Sequence, residues 1–417
     1  MRLLFLSNLY PPFDIGGYEQ WCQEMAVCLR QRGHTVHVLT SRYGVHGVPP
    51  VEPDVTRALY LQADVYHYQP WRFFFRHRFE EMSNRRALHA AIDHSQPDLL
   101  LVWGMWNLSL DLPFWAEQWL PGKVAYYIAS YWPVDVDIHT EYWKLPANRT
   151  VTELLKRPFR ALALGMLRRE GYPPPLRFEH VMCCSQYVRD AIAQAGSALS
   201  NAGVLFGGID VQPFQQHAHA IQTVENQPLR LLYFGSLVPH KGVHTAIEAL
   251  GLLKTRGLVE RIDLTVLGAG APEYEQRLRH MVSEFKIDEH VHFVGKVPRA
   301  EVPAWLSRFD VFLFTSIWQE PMARSVMEAM AAGLLVIGSE VGGQVEMLFD
   351  GQNGLTFRPA DAAGLADCIA RVIQEPALRQ KLAQAGRQTV LERFTLERMA
   401  NDLERWLLGI NMLRSSC

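Results

Sequence analysis

In each half of this 417-residue chain, a short apolar strand runs into a glycine-containing turn and then into a helical pattern. In the first half the strand is 3–7, the turn holds Gly16 and Gly17, and the helical pattern covers 18–32. In the second half the strand 229–237 leads through a turn into another helix. Strands that alternate with helices are typical of βαβ units, whose strands pair in parallel. The pattern therefore predicts an α/β protein with a parallel sheet in each half.

Length and composition fit a globular protein with two domains of ordinary size. The chain is 48% hydrophobic and carries a formal net charge of −2, which excludes the strongly basic balance of a general nucleic-acid binder. Its six cysteines form no C-x-x-C pair, so we expect reduced thiols and no zinc site. We find neither a secretory signal nor an apolar run of about 18 residues. We expect a cytoplasmic protein, free or at the inner face of the membrane.

Two glutamates eight positions apart, Glu320 and Glu328, flank the start of a predicted helix in the second half. The apolar run 310–315 predicts a buried parallel strand, and the small residues of 323–332 predict a helix packed closely on the sheet. Glu320 then precedes the helix and Glu328 lies inside it. At the rise of a helix, their carboxylates are expected roughly 8 to 12 Å apart, which suits a sugar and a ribose bridged by a diphosphate.

The helix start and the two carboxylates predict a site for a nucleotide-linked sugar. The first N–H groups of a helix have no partner within it, so those of Met322, Ala323 and Arg324 are expected to face outward and hold an anion. An ionised carboxylate only accepts hydrogen bonds, and its two oxygens match the two O–H groups of a vicinal diol. We assign Glu328 to the ribose diol. The alternative is that both glutamates are ordinary surface charges.

The segment 328–337, EAMAAGLLVI, and the Glu-x7-Glu spacing resemble the signature of the retaining GT-B glycosyltransferases of the large family four. The resemblance extends over almost the whole chain. It implies two Rossmann-like domains that face each other across a cleft. The expected division is an acceptor-side domain at 1–209, a linker at 210–228, a nucleotide-sugar domain at 229–390, and a C-terminal helix at 391–417 that packs back on the first domain. We expect Thr395 to be the N-cap of that helix.

The segment 235–242, GSLVPHKG, resembles the family's Gly-Arg-Leu-x-x-x-Lys-Gly motif, in which the Arg and the Lys contact the donor diphosphate. Lys241 is present, but Ser236 occupies the position of the arginine. We expect Lys241 to neutralise the diphosphate, with part of the charge left to Arg324 or to helix N-termini. Glu320 is expected to orient the sugar hydroxyls. Gly16 and Gly17 let the backbone approach the ligand closely, because no Cβ intervenes.

The resemblance also implies the chemistry: a hexose-type sugar passes from a nucleotide-diphosphate sugar to a glycan or glycolipid hydroxyl, with retention of anomeric configuration. Asp135-Val-Asp137 superficially resembles the D-x-D manganese motif of the other large glycosyltransferase fold. The other motifs of the chain, which resemble those of the GT-B family, contradict that fold. We expect no metal and no cofactor, with Lys241 and helix N-termini taking over the role of the cation.

The segment 150–169 alternates apolar with basic residues, as basic amphipathic helices at membrane surfaces do. Pro158 predicts a break into two short helices. The alternative is a domain helix with a solvated basic face. Aromatic residues are concentrated between about 43 and 150; we expect most of these rings in the core, while rings at strand ends could stack on an acceptor sugar.

Other activities stay open. A nucleotide-sugar epimerase can share this architecture, and a sugar phosphorylase would need phosphate or pyridoxal phosphate, for which no lysine stands out. A catalytically degenerate scaffold or regulatory subunit is favoured by Ser236. It is also favoured by the lack of a match to a first-domain histidine that many relatives place near the transferred sugar, because Trp103–Gly104 and Ala129–Ser130 occupy the plausible positions.

Overall fold

A computed structural model describes residues 1–45, 47, 52–65, 67–147, 150–196, 199, 201–216 and 227–415, with the backbone alone for 414 and 415. Contacts between Cα atoms divide the chain into a first unit, formed by Met1–Cys184, Val188–Leu205 and Ala400–Cys417, and a second unit, formed by Ser185–Tyr187 and Phe206–Met399. Ten positions of the expected linker, 217–226, and the aromatic residue Tyr66 lie outside the described residues. The expected domain limits at 209, 228 and 390 stay predictions.

A parallel sheet of seven strands forms the centre of the first unit. Its strands are β1 (Arg2–Ser7), β2 (Thr35–Ser41), β3 (Val55–Leu59), β4 (Leu99–Gly104), β5 (Val124–Ile128), β6 (His180–Cys183) and β7 (Gly203–Val204). Their order in the sheet is β3-β2-β1-β4-β5-β6-β7. Every residue of β4 and β5 is buried, as expected of parallel strands covered on both faces.

The helices between β1 and β7 differ in how much of their surface they bury. They are α1 (Gly17–Gln31), α2 (Pro70–Ser95), α3 (Asp111–Trp119), α4 (Ile138–Lys144), α5 (Thr150–Arg169) and α6 (Gln186–Gln194), whose first two residues are grouped with the second unit. Rings on the sheet are buried as predicted, for example Trp103 and Tyr127. On α2 the rings divide: Phe73 is buried, whereas Trp71 and Phe75 are exposed.

The expected break at Pro158 is wrong, because α5 is one helix with the proline inside it. A proline in a helix removes one N–H hydrogen bond. Side chains on both sides of it tie the helix to the end of α4: Lys156 Nζ donates to the carbonyl of Tyr142 at 2.5 Å, and Arg160 Nε donates to that of Trp143 at 2.6 Å. These bonds stabilise α5 as one continuous helix across the proline.

A second parallel sheet, of six strands, forms the centre of the second unit. Its strands are β8 (Leu229–Phe234), β9 (Ile262–Leu267), β10 (Val291–Gly295), β11 (Val311–Phe314), β12 (Leu335–Ser339) and β13 (Leu355–Phe357), in the order β10-β9-β8-β11-β12-β13. The helices are α7 (Gln212–Gln216), α8 (Val243–Thr255), α9 (Pro272–Glu284), α10 (Val302–Leu306), α11 (Arg324–Ala331), α12 (Ala362–Gln374) and α13 (Pro376–Arg393). Apolar faces of α8 and α12 pack on the sheet in one hydrophobic core.

Both sheets are doubly wound, which confirms the predicted fold class of two Rossmann-like units. The strand order reverses between β1 and β4 in the first sheet and between β8 and β11 in the second. In open parallel sheets, ligands bind beyond the carboxyl ends of the strands at this switch point. The turns after β8 and β11 are therefore where the second unit is built to hold a ligand.

The last helix, α14 (Leu396–Ser415), begins as the sequence predicts. The Oγ1 of Thr395 accepts a hydrogen bond from the N–H of Arg398 at 3.2 Å, the geometry of an N-cap. From Ala400 onward the helix is grouped with the first unit. There Arg32 and His34, which precede β2, each bond to Glu404 at 2.7 Å.

Candidate active site

Two side chains meet at the switch point of the second sheet. Lys241 lies in the turn after β8, and Glu320 lies in the turn after the neighbouring strand β11. The Nζ of Lys241 is 2.5 Å from the Oε1 of Glu320, and the Oγ of Ser316 donates to the same oxygen at 2.7 Å. Glu320 is buried, whereas Lys241 is about one-third exposed. The structure thus brings together the two residues that the sequence predicts for sugar and diphosphate.

Backbone contacts between the two turns fix Lys241 in place. A Cβ at Gly242 would lie 1.9 Å from the carbonyl oxygen of Thr315, and Gly242 has a φ of +69°. The hydroxyl of Thr315 donates to the carbonyl of Lys241 at 2.9 Å, and the N–H of Ile317 donates to that of His240 at 2.9 Å. Only glycine allows this approach, because any other residue adds both a clash and a left-handed backbone.

A turn after β12 fixes the backbone of Glu320 from the other side. The N–H of Gly343 donates to the carbonyl of Glu320 at 2.8 Å, and the N–H of Gly342 donates to the side-chain oxygen of Gln319 at 2.7 Å. A Cβ at Gly342 would lie 2.0 Å from the carbonyl oxygen of Glu320. The position of the carboxylate therefore depends on a residue 22 places further along the chain.

Gly342→Ala is expected to lower the turnover rate by about 10²-fold, because a catalytic group displaced by about 1 Å can cost that much. Gly351→Ala is the matched control: its φ of +67° imposes the same kind of strain, but nothing lies within 4 Å of its added Cβ. Turnover at saturating donor and thermal unfolding of both variants distinguish displacement of Glu320 from backbone strain. Equal losses of turnover in the two variants would contradict this account.

Glu328 lies inside α11 as predicted and is 1% exposed. Arg299, in the turn between β10 and α10, donates from both terminal nitrogens to its two oxygens, one of them at 2.8 Å. Arg324 donates from Nε at 3.0 Å. Burial alone would raise the pKa of Glu328, but the two guanidinium groups outweigh burial and hold that pKa below its ordinary value. The carboxylate is therefore charged.

The start of α11 differs from the prediction. The helix begins at Arg324, and Ala323 is its N-cap, with no side-chain capping bond. Met322 and Ala323 are buried. The extended backbone of Ala323 makes the helix start one residue later than expected. The side chain of Arg324 is turned toward Glu328. The first N–H groups of the helix therefore begin at Arg324.

Ser236 is exposed in the turn after β8, and its carbonyl accepts from the hydroxyl of Tyr233 at 2.9 Å. The turn packs backbone to backbone against the turn after β9. A Cβ at Gly268 or Gly270 would lie 1.8 Å from the carbonyl oxygen of Gly235 or Leu237 respectively. Gly268 to Gly270 thus forms the turn between β9 and α9.

Gly16 and Gly17 lie at the switch point of the first sheet, in the first unit. Gly16 is the N-cap of α1 with an extended backbone. The carboxylate of the buried Glu19, three residues on, lies beside Gly16, where an added Cβ would be 3.2 Å from its Oε2. Burial raises the pKa of Glu19 to about 7.

The D-x-D segment has a structural explanation. Asp137 is the N-cap of α4, and its Oδ1 accepts from the N–H groups of His139 and Thr140 at 3.1 and 3.0 Å.

Beside Asp137, in the first unit, is a cavity of about 510 Å³, lined by Trp132, Asp135 and Arg168 among others. Within the described part of the chain, no cluster of three or more His, Cys, Asp or Glu side chains is arranged to hold a metal ion.

Sequence reasoning missed Arg299, Ser316 and Gly342. Arg299 stands 29 residues before Glu328 in an exposed turn, and only the folded chain brings the two side chains together. For Ser316, the available signal was its place as a polar residue shortly after a buried strand. Gly342 and Gly343 form a pair like Gly16 and Gly17, also in a turn after a strand.

The doubly wound units and the charged groups at a switch point define the GT-B class of glycosyltransferase, and solved structures share the fold. Sucrose-phosphate synthase from Thermosynechococcus elongatus superposes with a TM-score of 0.73 at 20% identity, covering 100% of both chains. HepE from Anabaena, solved in complex with UDP-glucose, gives a TM-score of 0.67 at 19% identity, covering 98% of this chain and 99% of its own.

Sequence comparison gives the family. Residues 15–213 match the family described as Glycosyltransferase Family 4, and residues 214–389 match Glycosyl transferases group 1. The chain belongs to the group 1 glycosyltransferases. Glycogen synthase from Mycobacterium tuberculosis is 29% identical over 96% of this chain and 92% of its own length. None of the helices within the described ranges combines the length and the apolar character that a membrane span requires.

Proposed function

We propose that this glycosyltransferase moves a hexose-type sugar from a nucleoside-diphosphate sugar to a hydroxyl of a glycan or glycolipid, with retention of anomeric configuration. The observation that carries the proposal is the contact of Lys241 with Glu320 at the β8–β11 switch point. A single cation beside a buried carboxylate offers one group for a diphosphate and one for the hydroxyls of a sugar. The charged Glu328 stands eight residues further on, for the ribose.

Lys241 is the group that stabilises the leaving diphosphate. Its ammonium is partly exposed and already positioned by the Thr315 contact, so it needs little reorganisation when negative charge grows on the leaving oxygen. As the bond from the anomeric carbon to the diphosphate oxygen breaks, the acceptor oxygen forms the new bond on the same face. The acceptor proton passes to the departing phosphate. Glu320 holds the sugar hydroxyls and balances the positive charge at the anomeric carbon.

In binding the ribose, Glu328 has fewer hydrogen-bond acceptor positions to offer than a carboxylate without other partners. A carboxylate offers about four lone-pair positions, and Arg299 and Arg324 together donate three hydrogen bonds to Glu328. Glu328 is 1% exposed, so a ribose hydroxyl can reach it only when the partly exposed Arg299 releases a nitrogen. That nitrogen then lies next to the nucleotide and can take the diphosphate charge that Ser236 cannot.

The wider role we propose is assembly of a polysaccharide or glycolipid in the cytoplasm, with the first unit binding the acceptor and α5 (150–169) contacting the inner face of the membrane. Similarity to a glycogen synthase supports a sugar polymer as product. We propose that transfer needs neither a metal nor a cofactor, because Lys241 supplies the positive charge. Asp137, the residue of the D-x-D segment that would bind manganese, is used as a helix cap.

A thermal-shift panel of UDP, GDP and ADP sugars, with and without EDTA, tests this function. A donor at 100 times its Kd is expected to stabilise the protein by about 2.7 kcal/mol, or roughly 5 to 10 °C in Tm. One nucleotide class should give this shift in the presence of EDTA. A shift that appears only with added manganese would contradict metal independence, and no shift with any donor would favour the degenerate scaffold.

The scaffold stays the second candidate because Ser236 replaces the motif arginine. It predicts weak or absent donor binding together with absent transfer. An epimerase, in contrast, would convert the donor without any acceptor, and analysis of the sugar released from the donor would identify the changed epimer.

A further inference from the structure

The first turns of α2 expose a stripe of large apolar side chains. The spacing of its members by four, four and three residues places them on one side of the helix. Their exposed fractions range from 52% to 79%, and they are Trp71, Phe75, Phe79 and Met82. An apolar stripe with this period ordinarily faces a core. Here it faces solvent.

A second stripe runs along α5. Its members are 39% to 70% exposed and are spaced by three or four residues except for one adjacent pair; they are Val151, Leu154, Leu155, Phe159 and Leu162. The opposite side of α5 is packed: Ala163 and Leu167 lie in a small core with Phe73 of α2 and Trp143 of α4. The helix is therefore held by its inner side and presents the apolar stripe outward.

The two stripes join into one surface, which we name the α2–α5 face. The rings of Trp71 and Phe159 pack edge to face with centroids 5.2 Å apart, and Phe74 lies 5.9 Å from Phe159. Both helices are anchored in the same small core, so the relative positions of the two stripes are fixed. A contiguous exposed apolar surface formed by two helices is typical of an interaction site.

Charges beside the α2–α5 face favour an anionic partner. Several arginines next to the stripes are 56% to 70% exposed, while the carboxylates they contact are only 6% to 27% exposed; the pairs are Arg76–Glu80, Arg78–Glu170 and Arg157–Glu153. Arg168 and Arg169 add two exposed cations at the end of α5. The positive groups therefore stand outermost. The whole chain carries a net charge of −2, so this basic character is local.

We propose that the α2–α5 face docks on the surface of an anionic lipid bilayer, with its aromatic rings at the level of the headgroups and its arginines on lipid phosphates. Apolar side chains flanked by cations, on helices too polar to span, are what an interfacial helix requires. The proposal extends the contact assigned to 150–169 by a second helix, and it holds whether or not sugar transfer occurs.

Vesicle co-sedimentation tests the proposal, using phosphatidylcholine vesicles with and without phosphatidylglycerol. The wild-type chain is expected to bind the anionic vesicles and to be released by salt. Trp71→Ser/Phe75→Ser should lower the partition coefficient by more than about tenfold, and Arg157→Gln by about fivefold. Trp106→Ser is the matched control: this tryptophan of the first unit is 41% exposed but follows β4, outside the face.

Equal binding to neutral and anionic vesicles, or loss of binding in Trp106→Ser to the same degree as in the double variant, would overturn the proposal. A wild-type dimer by light scattering that becomes a monomer in Trp71→Ser/Phe75→Ser would also overturn it, because the face would then join two copies of the chain. Circular dichroism and the donor-induced thermal shift should be the same in the double variant and wild type. Their retention separates membrane docking from the donor site.

Discussion

Glu320→Gln is expected to lower the rate of sugar transfer at saturating donor by about 10² to 10³-fold, the cost of removing one preorganised charged group. The Oε1 of Glu320 accepts from Lys241 and Ser316. An amide in its place keeps the shape but is neutral, so it does not balance positive charge at the anomeric carbon. Initial rates at saturating donor and acceptor measure the effect.

The donor-induced thermal shift separates catalysis from binding in this variant. Glu320→Gln should retain most of the shift, because Lys241 and Glu328 remain, whereas Lys241→Ala should lose much of it and raise the KM for donor. Glu284→Gln is the control, since this glutamate is exposed at the end of α9. Transfer by Glu320→Gln at the rate of Glu284→Gln would remove Glu320 from the mechanism.

The parts of the fold that could be predicted from the sequence are those that local patterns determine. The strand predicted at 310–315 is found as β11 (Val311–Phe314), and Glu320 precedes α11 while Glu328 lies within it. Such features depend on apolar periodicity and on glycine in turns, which a chain carries within a few residues. The Lys241–Glu320 contact follows one step later, because parallel strands that are neighbours at a switch point bring their carboxyl ends together.

Contacts made by distant side chains do not follow from such patterns. Arg299 reaches Glu328 only because the turn after β10 lies near α11 in the folded unit. The continuity of α5 through Pro158 is the same kind of case. Carbonyl groups at the end of α4 accept from Lys156 and Arg160, and this tertiary anchoring overrides a helix-breaking residue. Sequence reasoning assigned Glu328 a ligand role without the two cations that surround it.

Those cations make Glu328→Ala a test of stability as well as binding. Removing one partner of a buried ion pair typically costs about 3 to 5 kcal/mol, which for a unit of this size lowers Tm by about 6 to 20 °C. The donor-induced shift should be lost in addition. In Glu328→Ala/Arg299→Ala, part of the Tm should return, because one orphaned guanidinium is gone, while the donor shift should stay absent. A donor shift of wild-type size in Glu328→Ala would contradict the ribose assignment.

The lowered pKa of Glu328 gives this prediction a dependence on pH with a definite sign. Its carboxyl group binds a proton less readily in the folded protein than in the unfolded chain, whose ordinary value is 4.5. The stabilisation is therefore complete above that value and is lost as pH falls through the lower pKa of the folded state. On acidification through this window, the Tm of wild type should fall more steeply than that of Glu328→Gln, which has no charge to lose. Thermal unfolding across the window measures both slopes, and parallel curves would show that Arg299 and Arg324 do not hold this carboxylate in its charged form.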